Sequence, residues 1–179
     1  SPKEEKNVDE AASDADEADA DAMMSDVARA ARSVDYLLNY TWHALEHKGK
    51  DGLGRILKRP RITTVAKNVS ASNREIVIDP FTSLDDDPVV GLRAAATAAQ
   101  LGLPLSLDTC TELSKNLKSG QGKLPTPWPR EARELLISLI GAGEAMVGIF
   151  ESLDQEEIIF EWIPEWMSVR SLPQRNALH

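Results

Sequence analysis

One cysteine, Cys110, stands in 179 residues, so no disulfide can form within the chain. That suits a reducing compartment, and a cytoplasmic location is the expectation. Aromatic residues make up only 5% of the chain, so Leu, Ile, Val and Ala must supply most of a core drawn from the 42% of residues that are hydrophobic. No run of about 18 apolar residues occurs, which excludes an obvious membrane span. The first residues are acidic and lack the apolar centre of a secretory signal. A basic surplus is missing too. The formal charge is −9, and residues 1–22 hold nine acids and two lysines, so the remainder carries only −2. Neither part has the footprint of a general nucleic-acid binder.

Catalytic signatures are equally scarce. Lys48 to Pro60, KGKDGLGRILKRP, is glycine-rich and basic, but it holds neither G-x-x-x-x-G-K-[ST] nor G-x-G-x-x-G. It reads as a solvated loop. A serine nucleophile elbow, G-x-S-x-G, is absent. His43 and His47 lie four residues apart in WHALEH, so both imidazoles can share a helix face with Glu46 beside them. Zinc needs a third or fourth ligand, and Cys110 and His179 are the remaining soft candidates, with nothing in the sequence to bring them near. A helix end whose dipole favours cationic histidines is the better reading. Asp85, Asp86 and Asp87 could suggest magnesium, but Pro88 follows, so Asp87 is expected to cap a helix with Pro88 as its first residue. Cys110, between Thr109 and Thr111, is expected to be a small core residue. Trp162 and Trp166 flank Pro164 and are expected to anchor the last helices. No catalytic, cofactor-binding or metal-binding residue is therefore assigned.

What is present is mostly helical pattern. Residues 1–22 are low-complexity and bury too little to offset their ordering entropy, so they are expected to be a disordered acidic tail. Apolar residues from Met23 through Val27, Val34, Leu37, Leu38 and Leu45 recur at helical spacing, and Gly49 ends the pattern. Ile62 to Val69 and Glu75 to Asp79 are β-branched, with Ser70 to Arg74 as turn residues, which predicts one small hairpin. Helices are expected from Pro88 to Leu101, with Gly102 as the stop; from Leu107 to Leu117, capped by Ser106; from Pro129 to Ile140; and from Glu144 to Leu153. Two short ones, Glu156 to Trp162 and Glu165 to Arg170, are separated by Pro164. The stretch AAATAA at 94–99 presents small residues that let a neighbour approach closely. The expected fold class is mostly α: a helical bundle-like domain over 23–179 with one small β-hairpin and a disordered acidic N-terminal tail.

The closing strings add a resemblance. LDQ at 153–155, IPEW at 163–166, VRSLPQRN at 169–176 and His179 resemble a domain junction in bacterial PII uridylyltransferase/uridylyl-removing enzymes of the actinobacterial type. VARAARSVDYLLNYTWH at 27–43, GLRAAATAAQLGLPL at 91–105 and PWPREARELLISLIGAG at 127–143 are similar to the same family. The resemblance implies a helical connector between a nucleotidyltransferase domain and an HD-type phosphohydrolase domain. The family's Gly-Ser followed by a D-x-D acid pair is not found here, and its HD metal ligands would begin after His179. It also implies magnesium for the parent enzyme, PII signal protein and the flanking catalytic domains as partners, and UMP or AMP as the transferred group. Two alternatives are an independent helical interaction module using the Ala94 to Ala99 face and the helical domain of a glutamine-synthetase adenylyltransferase. Because helices that precede Met23 in the family are not in this chain, the first long helix is expected to expose part of its stripe and to support weak self-association.

Overall fold

A computed structural model describes residues 18–38, 41, 42, 45 and 62–170. It falls into two units, Ser1–Ala44 with Glu165–His179, and Leu45–Pro164. His43, Glu46, His47, the basic stretch 48–60 and the final segment 171–179 lie outside the described residues, as does most of the expected acidic tail.

Helix α1 occupies residues 18–38, and 41 and 42 are helical as well. It begins ahead of the expected Met23, inside the stretch read as tail. Alanine favours helix there, and Asp19 and Asp21 suit the positive end of the helix dipole. Its apolar residues Met23, Val27, Val34, Leu37, Leu38 and Trp42 are each more than half exposed.

The second unit opens with a sheet. Strands β1 (Thr63–Ala66), β2 (Val69–Ser72) and β3 (Glu75–Ile78) form an antiparallel meander in the order β1-β2-β3. The single hairpin expected from sequence is thus corrected to three strands. Ser70 to Ser72, read as turn residues, pair instead with β3 as Ser70↔Val77, Ala71↔Ile76 and Ser72↔Glu75. The turns are tighter. One sits at Lys67-Asn68, with Asn68 at φ 59, and one at Asn73-Arg74, with φ 52 and 65. Two successive positive φ values match the right-handed twist of a two-residue hairpin, and asparagine tolerates them.

Five helices follow the sheet among the described residues. They are α2 (Val90–Leu101), α3 (Leu107–Lys118), α4 (Arg130–Ile140), α5 (Glu144–Gln155) and α6 (Ile158–Trp162). Helix α2 is the centre. It touches the sheet, α4 and α5, and Val90 through Ala99 are all buried. Gly91 permits a close approach: a Cβ there would sit 2.9 Å from both Leu113 Cδ2 and Trp162 Cζ2. Gly102 ends α2 in the left-handed conformation, as expected. The Ser106 hydroxyl caps α3 by accepting the Thr109 N–H at 3.2 Å. The start of α2 differs from expectation. Its cap position is Val89, without a side-chain bond, and Asp87 caps nothing. The Asp87 carbonyl takes the Val90 N–H at 3.1 Å, while its carboxylate turns to Arg93.

Trp162 anchors α6 in the core at 6% exposure. Pro164 follows, and in the first unit α7 (Trp166–Val169) is a single turn. Among the described residues no single helix is long and apolar enough to cross a membrane; α4 and α5, taken together, are bent by 117°.

Candidate functional site

Two features concentrate polar side chains in the second unit. The first surrounds Arg93, a cation in the first turn of an otherwise small and apolar helix. Burying a guanidinium is costly unless its donors are met. Here all five are met. Nε donates to Glu131 Oε1 at 2.9 Å, and Nη2 to the same oxygen at 2.5 Å. Nη1 and Nη2 form a fork onto Asp87 at 2.7 and 3.2 Å. Nη1 also donates to the Lys67 carbonyl at 3.3 Å. Asn68 Nδ2 adds a bond to Asp87 at 2.9 Å, and Lys67 Nζ lies 3.7 Å away.

Burial by itself would raise the Asp87 carboxyl above its ordinary range. Hydrogen bonds from Arg93 and Asn68, with the charges of Arg93 and Lys67, outweigh burial and hold it below. Burial similarly opposes the Arg93 cation, but Asp87 and Glu131 hold it charged. The cluster is two cations and two anions, and it joins the β1–β2 turn, the loop before α2, α2 and α4. A guanidinium with every donor committed has none left for a phosphate. Chemically this is a rigid tie.

The second feature is a groove of about 570 Å³ between β3 and α3. Val77, Ile78, Pro80, Leu84 and Leu113 supply its apolar surface, and Glu75, Asp79, Asp108 and Glu112 are its charged residues. Asp79 is positioned by the buried Ser70 hydroxyl, which donates to it at 2.7 Å. The strand edge facing α3 is already engaged. Ile76 N donates to Pro104 O at 2.8 Å, Ser106 N donates to Ile76 O at 2.9 Å, and Ile78 N donates to Thr109 Oγ1 at 3.3 Å.

The residues weighed from sequence scatter. Asp85 accepts the Gly122 N–H at 2.8 Å and pins the 119–129 loop. Asp86 is exposed, and Asp87 belongs to Arg93. Cys110 is a free thiol at 1% exposure. Burial, with Glu156 and Glu75 nearby, pushes it up to about 12, so it is a poor nucleophile. No group of three or more potential metal ligands occurs among the described residues. Ala94 to Ala99 is buried against this unit's own elements, so the small-residue face proposed for an external partner is not available. Arg93 went unweighed in the sequence. Its signal was present: a lone arginine at the head of an alanine run, six residues after an aspartate.

The chain is 36% identical over 181 residues to the bifunctional uridylyltransferase/uridylyl-removing enzyme of Streptomyces coelicolor, covering 90% of this chain and 20% of that protein. The protein of the same name from Mycobacterium tuberculosis is 33% identical over 128 residues, or 72% of this chain and 15% of the relative. That from Corynebacterium glutamicum is 28% identical over 94 residues, or 52% and 13%. The chain therefore spans about a fifth or less of the length of the curated relatives it matches. No protein-family model matches it, and no solved structure does.

Proposed function

This chain is homologous to one region of the actinobacterial bifunctional uridylyltransferase/uridylyl-removing enzymes, and we propose that it serves such an enzyme as a helical connector. The single observation that carries this reading is the 36% identity along nearly the whole chain to about a fifth of a much longer two-activity protein. In the proposal the parent enzyme attaches and removes a nucleotidyl group, UMP or AMP, on PII signal protein in the cytoplasm, with magnesium at its transferase site. The present region carries neither active site. It holds the two catalytic domains at a set spacing.

The chemistry of the second unit supports a positioning role. Its buried cation is fully tied, its thiol is shielded, and its central helix is enclosed by its own neighbours. A block that fixes geometry needs such rigidity, because opposed transfer and removal on one partner would otherwise run as a futile cycle.

The test uses the full-length parent enzyme and purified PII protein. Arg93→Ala, which loosens the tie, is expected to reduce nucleotidyl transfer and removal together. A variant that loses one activity and fully retains the other, or transfer catalysed by this region alone, would overturn the connector reading. The exposed stripe of α1 further supports weak self-association of the isolated chain. A strict monomer in sedimentation at high concentration would count against it.

A further inference from the structure

The geometry points to the groove between β3 and α3 as a docking site for a basic peptide segment of a protein partner, one with lysines or arginines interleaved with apolar side chains. Its volume of about 570 Å³ falls inside the range of roughly 300–1,000 Å³ common to ligand clefts. Among the described residues, the four charged ones that line it, Glu75, Asp79, Asp108 and Glu112, are all acids. They are shared between β3 and its following loop on one wall and α3 on the other, so an occupant bridging the groove meets negative charge on both sides.

Three further observations narrow the occupant. The acids do not converge as a metal-holding group among the described residues. Spread carboxylates suit several charges carried along a polymer better than one cation. The outward N–H and carbonyl of Ile76 and the N–H of Ile78 already have partners, so a visiting chain has little free edge to add to as a strand and must be read through its side chains. The apolar surface from Val77, Leu84 and Leu113 offers seats for an aliphatic anchor. Ile62, which lines the groove, is 64% exposed. Lys115 lies 3.8 Å from Glu112 in an exposed pair, of the kind that contributes little to stability and is readily displaced.

Fluorescence anisotropy with the full chain and a fluorescein-labelled peptide, Lys-Leu-Lys-Arg-Ile-Lys-Arg, tests this at low and moderate salt. Asp108→Asn combined with Glu112→Lys is expected to weaken binding by about tenfold or more, with an unchanged circular dichroism spectrum. Replacing the peptide's Leu and Ile with Ser is expected to weaken it further, which simple charge attraction does not predict. The acidic N-terminal stretch is the competing attractor, so Asp14→Asn/Asp16→Asn/Asp19→Asn is measured in parallel and is expected to change affinity by less than about twofold. Unchanged binding by the groove variant, or loss confined to the N-terminal variant, would overturn the proposal. Should the groove variant disturb the spectrum, Glu112→Gln alone must still weaken binding for the assignment to stand.

Discussion

Arg93 is the residue on which the second unit most depends. Removing one partner of a buried ion pair leaves the other charge uncompensated, at a cost of about 3–5 kcal/mol. Arg93→Ala is therefore expected to lower the urea midpoint strongly. Arg93→Met with Asp87→Asn should cost much less than the two single changes added, because neither charge is then stranded. Acid tests the same tie. A depressed folded value means the folded state holds the Asp87 proton less tightly than the unfolded chain does. Its contribution is complete above the ordinary carboxyl value of 3.8 and is lost as pH falls through the lower folded value. Urea midpoints measured from about pH 7 to about pH 2 should drop in that acid window, and Asp87→Asn should flatten this part of the drop. Cys110 gives a second reading at this scale. With its thiol near 12 and its side chain enclosed, a disulfide reagent at about pH 8 should label it only at the rate of unfolding and promptly in denaturant.

Among elements, α2 and the meander carry the sharpest tests. In an open helix Gly→Ala stabilises by up to about 1 kcal/mol. At Gly91 the new methyl would meet Leu113 and the Trp162 ring at 2.9 Å, and overpacking costs about 1–3 kcal/mol. Gly91→Ala is expected to destabilise on balance, and Leu113→Ala combined with it should cost less than the sum of the single changes in thermal melts. Arg74, at φ 65, predicts the opposite sign. Arg74→Gly relieves a left-handed non-glycine residue, so the melting temperature should rise slightly. The limits of α3 and α4 were legible because Ser106 and Pro129 act within one turn of themselves. The third strand was not. Ser70 to Ser72 is short and composed of turn-type residues, and it becomes a strand because β1 and β3 pair with it on both edges.

At the scale of the molecule, every fully enclosed hydrophobic residue among those described lies between Val69 and Trp162. A chain of residues 62–164 is therefore expected to unfold cooperatively by itself, with a urea midpoint close to that of the whole chain. A broad, non-cooperative transition would show that the core needs more of the polypeptide.

Local chemistry determined much by itself. Helical spacing, proline, glycine and serine at the ends placed the helices, and the strings from Val27 to Asn176 pointed to the family found in three actinobacteria. Tertiary structure decided what the polar and small residues do. Asp87 stands beside a proline in a good capping position, yet it faces a guanidinium that is also held by Glu131, 38 residues further on. Ala94 to Ala99 looked like a free small-residue face and is enclosed on all sides. Caps and periods depend on residues within a turn or two, so a linear reading can reach them. A charge tie across four elements, or a groove whose acids come from a strand, a loop and a helix, exists only once the chain has closed on itself.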